Sequence, residues 1–328
     1  MSASASTAYL LVSHGSRDPR SGQGMERLAH FVRSQEAGLW NAASEPGHGL
    51  ADWRLIADQR SAGVRSQRRA TPASPPERPE RTYPGIYRSR VVRPGAIHGP
   101  LVGTACLETE ALPLHRQIVE FSRRASAAGA QTIRIVPLFL LAGVHVTADL
   151  PAEVELARQA LPDLALELSP HLGSHPGLKS LLRAKKPKMA PETLILLAHG
   201  SRRSSGNEPV RALARALGGT AAFWAVPPNL ETQVIELMQA GVQRLTILPY
   251  FLFAGSITDA ITHRTEDLAE RFPSMGFHLL PPLGPSADLA RLVVDLALDR
   301  VPAKAQQPPI PMARVAFRHA IQSSSLVS

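Results

Sequence analysis

The chain has 328 residues, 44% of them hydrophobic and 19% charged, which is enough to bury a sizeable core in two lobes and excludes a short peptide module. Its single cysteine, Cys106, excludes an intrachain disulfide and a thiolate-held iron–sulfur cluster, leaves a thiolate-rich zinc site in need of a partner chain, and points to the reducing cytoplasm. The net charge of +9 rests on 31 arginines against 5 lysines and suits either nucleic acid or a polycarboxylated small molecule, without choosing between them.

Residues 1–7 are small and polar, and the apolar run from Tyr9 to Val12 stops at Ser13 and His14, so neither a secretory signal nor a membrane span is expected. That run reads as a short buried strand leading directly into SHGSR at 13–17. Between 41 and 100, ten arginines meet five acidic residues and eight prolines. We read 38–100 as a solvated insertion, with Pro72, Pro75, Pro76 and Pro79 opposing regular structure and Trp53, Leu55 and Ile56 available for local packing. A nucleic-acid role would instead centre on Arg65, Arg68 and Arg69. A further apolar strand precedes Glu108 in GTACLE, and a helix is predicted over 114–128 with Leu114, Ile118, Phe121 and Ala125 on one face. TIRIVPLFLLAG at 132–143 reads as a buried strand, followed by a helix over 152–160. Two prolines among lysines in 184–191 mark a linker between a first lobe, 1–183, and a second, 192–301.

The second lobe repeats the first in order. LILLA at 194–198 runs into HGSR at 199–202, and RLTILPYFLFAG at 244–255 matches 132–143. Helices are predicted over 207–217, over 230–238 with Gly241 as a stop, over 259–271 and over 286–299. Short apolar strands alternating with longer helices predict an α/β protein of two similar lobes, each a mainly parallel sheet flanked by helices. The tail, 302–328, is rich in proline and serine; 315–321 reads as a short helix with no function attached.

His14 follows a buried strand and precedes Gly15, which places its imidazole at the carboxyl edge of a sheet, where α/β folds bind ligands. His145, just past a strand and Gly143, would share a crevice with His14 if the strands are neighbours, and neutral imidazoles suit late divalent metals. The alternative is that His145 only caps a helix starting near Asp149. Glu108 is a carboxylate able to hold a metal or accept a proton; alternatively it only complements a helix dipole. Cys106, inside an apolar strand, reads as a structural thiol and not a nucleophile. No GxxxxGK[ST], HExxH or CxxC pattern occurs, which disfavours the standard phosphate loop, zinc peptidase and dithiol chemistries.

Taken together, LVSHGSRDP at 11–19, GTACLE at 103–108 with PLH at 113–115, and VPLFLLAGVHV at 136–146 with Asp149 resemble the long, duplicated form of the sirohydrochlorin chelatases, the CbiX family. AHGSR at 198–202 and PYFLFAG at 249–255 resemble that family's C-terminal half. The resemblance implies two lobes forming a cleft with pseudo-two-fold symmetry and insertion of Co2+ into sirohydrochlorin for cobalamin synthesis. Fe2+ insertion for siroheme, or a non-catalytic tetrapyrrole or metal carrier, are the alternatives. It assigns His14 and His145 to the metal, with Glu108 beside them, and requires no cofactor, since the metal is a substrate. Lobe closure would bend the macrocycle. Arg17 and Arg202 would pair with substrate carboxylates, or serve solvent-facing structural roles, and Gly143 would line the substrate site. The second copy departs from the pattern: His199 repeats His14, but Ile257 stands where His145 would repeat, so one metal site is expected. The expected partners are sirohydrochlorin and a divalent ion, with no nucleic acid or membrane, on a monomeric chain in the cytoplasm.

Overall fold

In a computed structural model, the structure describes residues 6–43, 101–186 and 193–301; the expected local packing at 53–56 and helix at 315–321 lie outside them. Outside 36–99, the described residues form one compact unit. None of its helices is long and apolar enough to cross a membrane.

Two four-stranded parallel sheets carry the fold. The first comprises β1 (Ser6–Ser13), β2 (Val102–Cys106), β3 (Ala130–Pro137) and β4 (Ala165–Leu168), in the order β2-β1-β3-β4. The second comprises β5 (Thr193–Ala198), β6 (Gly219–Phe223), β7 (Arg244–Pro249) and β8 (Gly276–Leu279), in the order β6-β5-β7-β8. β1 and β5 are central and buried on both faces, which is why their sequences run apolar without alternation. Along β1, Leu10 and Val12 enter one core while Tyr9 and Leu11 enter the other, as the two-residue strand period requires.

Helices α1 (Pro19–Ala43), α2 (Leu114–Ala127), α3 (Leu150–Ala160) and α4 (Gly177–Lys185) accompany the first sheet in sequence; α5 (Ser204–Ala216), α6 (Leu230–Gln239), α7 (Ser256–Arg271) and α8 (Ala287–Ala297) accompany the second. α2 and α3 cover one face of the first sheet, and α6 and α7 cover one face of the second. On the other faces the last helices are exchanged. Leu289, Ala290, Val293, Val294 and Leu296 of α8 share a core with Tyr9, Leu11 and the α1 residues Met25, Leu28 and Val32. Reciprocally, Leu178 and Leu182 of α4 pack with Leu194, Leu196 and the α5 residues Val210 and Ala214. Leu140, Leu181, Leu252 and Leu292 pack against both of these inner cores. Arg134 on β3 fastens α8 from its end, donating to the Ala297 carbonyl at 3.0 Å and pairing with Asp299 at 2.7 Å and with Glu167.

The helices expected within the described residues and the repeated strands are present, with three differences. α1, like β4, β6 and β8 not expected from the sequence, runs to Ala43, past the expected start of the insertion at 38. α4, not expected from the sequence, extends to Lys185 and belongs spatially to the second sheet. α8 belongs spatially to the first sheet, so sequential limits at 183 and 192 do not separate the two packed layers.

His175 is buried where α4 begins, its Nδ1 accepting from the Gly177 amide at 2.9 Å and its Nε2 lying 3.7 Å from Asp295 of α8. Burial lowers its pKa and that of His171 below the ordinary value near 6.5. An unfolded chain takes up these protons at a higher pH than the folded one, so the stability held above about pH 6.5 is lost as pH falls towards the folded values. The urea midpoint is therefore expected to drop between about pH 7 and about pH 5.5, and to drop less in His175→Gln. An equal drop in that variant would place the proton uptake elsewhere.

Candidate metal centre

The strands β2, β1 and β3 are parallel neighbours, so the loops leaving their carboxyl ends meet at one edge of the sheet. His14 directly follows β1. The Leu107 amide donates to the Ser13 carbonyl and the Glu108 amide to the His14 carbonyl, each at 2.9 Å, which carries the β1–β2 pairing past the strand ends and sets Glu108 beside His14. Gly15 makes this possible. Its φ is +95°, and a Cβ there would stand 2.2 Å from the Glu108 carbonyl oxygen, so any other residue is both strained and in collision with the backbone of the neighbouring loop. Gln117 of α2 holds the same loop, accepting from the Cys106 amide at 3.0 Å and donating to the Cys106 and Leu112 carbonyls at 2.8 Å. Nothing in the sequence distinguishes Gln117, which looks there like any polar position of an amphipathic helix.

His145 opens a π-helical turn, His145–Asp149, that leads into α3. The Gly143 carbonyl accepts from the Val146 and Thr147 amides and so anchors this turn, while the open side of Gly143 faces free space. The result is a cluster. The Nε2 atoms of His14 and His145 lie 3.2 Å apart with their rings edge to face, His14 Nε2 is 3.9 Å from Glu108 Oε2, and ligand atoms of all three residues fall within 4.8 Å of one another. Two ligands held about 2.0–2.1 Å from a common ion at the tetrahedral angle stand about 3.3 Å apart, so the two imidazoles fit one small divalent ion with little movement. The side chains are 49% (His14), 54% (Glu108) and 38% (His145) exposed, open enough for an ion to arrive and leave.

The second sheet repeats the frame and not the ligands. The Trp224 amide bonds to the Ala198 carbonyl and the Ala225 amide to the His199 carbonyl, so Ala225 occupies the register position of Glu108. Gly200 repeats the positive φ of Gly15. Ile257 takes the place of His145 and is exposed. Among the described residues, the first sheet's trio is the one His/Cys/Asp/Glu group of this kind.

Arg17 and Arg202 are exposed at equivalent places after the two histidine turns. Arg20, which the sequence did not distinguish, ties the His14 turn to the second sheet's α7. It bonds Asp18 at 2.6 Å and Asp259 at 3.0 Å, and Ser256 Oγ donates to Asp18. Hydrogen bonds from Arg20 pull the Asp18 carboxyl down to about 2. The Cys106 thiol lies 3.7 Å from Ser13 Oγ, and burial pushes its pKa up, which disfavours the thiolate a nucleophile needs.

The fold matches SirB from Bacillus subtilis with Fe3+ at a TM-score of 0.59 and 17% identity, covering 90% of this chain and 96% of that one. The sirohydrochlorin chelatase SirB from Bacillus subtilis subspecies spizizenii in complex with cobalt matches at 0.56 and 16%, covering 90% and 95%. Among curated proteins, the chain is 25% identical over 154 residues to the sirohydrochlorin ferrochelatase of Priestia megaterium and 23% identical over 162 residues to its sirohydrochlorin cobaltochelatase. These matches cover 43% and 44% of this chain and span 58% and 52% of those relatives' own lengths. The CbiX family model matches residues 96–186 and 193–299, well over half of the chain, with one segment reaching from β2 to α4 and the other from β5 to α8. A two-segment match that follows the duplicated architecture makes this chain a member of the CbiX family.

Proposed function

We propose that the protein is a sirohydrochlorin chelatase that inserts Co2+, with Fe2+ as the alternative ion, and releases two protons. The observation that carries this reading is the convergence of His14, Glu108 and His145 on one exposed point at the carboxyl edge of the first sheet. Sirohydrochlorin is flat, apolar on its face and edged by carboxylates. Metal insertion removes two pyrrole protons and exchanges the ion's water ligands one after another.

In this reading His14 and His145 hold the incoming ion through Nε2, weakly enough to surrender it. Glu108 or one of the imidazoles accepts the pyrrole protons and passes them to water. Arg17 and Arg202 meet substrate carboxylates through paired guanidinium hydrogen bonds. The exchanged helices α4 and α8 tie the two lobes together, so the reading assigns no step to a hinged closure. No resident cofactor enters the scheme.

The test is the initial rate of metal insertion into sirohydrochlorin, followed by absorbance without oxygen, for Co2+, Fe2+ and Ni2+ against the uncatalysed reaction. Acceleration is expected, with Co2+ fastest. The curated relatives include both a ferrochelatase and a cobaltochelatase, so a faster Fe2+ rate would move the protein to the iron branch. Stoichiometric binding without acceleration would overturn the enzyme reading in favour of a carrier.

A further inference from the structure

We infer that Asp149 is a positioning residue that fixes His145 as the Nδ1–H tautomer and so aims the Nε2 lone pair at the cluster. Asp149 Oδ2 lies 2.8 Å from His145 Nδ1, on the side of the ring away from His14. A carboxylate accepts and cannot donate when ionised, so the ring nitrogen facing it carries the hydrogen and the other keeps its lone pair. Of the two imidazoles in the cluster, this assigns a tautomer to His145. A carboxylate behind a metal-binding imidazole also makes the imidazole a better donor and limits its rotation.

The backbone is shaped for this pair. His145 and Asp149 are the first and last residues of the π-helical turn, which closes with the Leu150 amide on the His145 carbonyl. Such wide turns are rare and concentrate at functional sites. The internal repeat supplies the comparison. In the second sheet's half, the equivalents of His145 and Asp149 are Ile257 and Ile261, α7 is an ordinary α-helix from Ser256 onward, and Ile261 is fully buried in the core. Histidine, carboxylate and wide turn are thus replaced together, which a carboxylate serving only to start a helix would not require.

This inference deepens the chelatase reading and rests on it for its purpose, but its geometry is testable without turnover. The first measurement is the 15N spectrum of the histidine side chains in the metal-free full chain, at a mildly alkaline pH where imidazoles are neutral, with the His145 signals assigned by their loss in His145→Gln. A protonated Nδ1 and an unprotonated Nε2 are expected; the opposite tautomer, or an even mixture, overturns the inference. The second is Co2+ affinity, read from the ion's visible absorption, in Asp149→Ala and Asp149→Asn. The alanine variant is expected to lose about 10–100-fold in affinity. Asparagine, whose carbonyl still accepts from Nδ1, is expected to recover much of that loss. The KM for metal should rise in parallel while the KM for sirohydrochlorin stays put. Unchanged affinity in Asp149→Ala overturns the role even if the wild-type protein inserts metal. If the wild-type protein binds Co2+ and Asp149→Ala binds it less, but neither accelerates insertion, the chelatase reading fails and the positioning role stands.

Discussion

His145→Ala is expected to slow Co2+ insertion by at least about 10²-fold while leaving sirohydrochlorin binding largely unchanged. The rest of the cluster can replace little of what His145 supplies. Without the second imidazole, an incoming ion meets one nitrogen and the Glu108 carboxylate, both about half exposed and neither braced as His145 is by Asp149. A weaker hold lowers the share of encounters in which the ion sits over the macrocycle with some of its water already displaced. The internal repeat furnishes the control. His199→Ala removes the matching histidine of the second sheet, whose neighbours at the Glu108 and His145 positions are Ala225 and Ile257, so a drop of less than about threefold is expected there, small against the factor expected for His145. Equal losses in the two variants would show that the cleft as a whole, and not the His14–Glu108–His145 cluster, sets the rate. Loss of macrocycle binding in His145→Ala would make His145 a substrate contact.

Much of this arrangement is legible in the sequence because its signals are local. The runs YLLV and LILLA are apolar without alternation, as strands buried on both faces must be, and a glycine after each histidine announces the tight turn. The sequence brings His14 and His145 together only if their strands are neighbours; the sheet order makes β1 and β3 neighbours, and the two Nε2 atoms stand 3.2 Å apart. What stays hidden depends on tertiary partners. α1 begins with Gly22 and Gly24 in its first turns, which weakens its helical signal. The space a Cβ of Gly24 would need is taken by the ring of Phe253, whose contact no periodicity reports. β8, GFHL, is a short, partly exposed edge strand with little apolar run to detect. The wide turn at His145–Asp149 leaves no composition signal, although comparing it with Ile257 and Ile261 shows where the two halves diverge. The exchange of α4 and α8 is invisible to any reading that assigns each helix to the strands beside it in sequence.

That exchange leads to the largest stability effect expected in the molecule. Ending the chain after Ser286 removes α8 and should unfold the sheet furthest from it in sequence. Leu289, Val293, Val294 and Leu296 are each at most 1% exposed, and burial of four such side chains contributes about 6–12 kcal/mol. This is comparable with the whole stability of an ordinary domain, about 5–15 kcal/mol. The loss also strips the cover from Tyr9 and Leu11 of β1 and from Val136 of β3, the two strands that carry His14 and lead to His145. Ending the chain after Val301 keeps α8 and separates its contribution from that of the tail. Val293→Asp, which buries a charge against β1 and β3 without shortening the chain, should act in the same direction. Hydrogen exchange read strand by strand distinguishes the exchanged arrangement from a sequential one. Protection should fall first in β1 and β3, with the His14–Glu108–His145 cluster lost at the same point, while β5 and β7 hold longer under α4 and α5. If protection instead disappears first from β5–β8, the second lobe depends on its own last helix, and the packing of α8 on the first sheet is not what stabilises the His14–Glu108–His145 cluster.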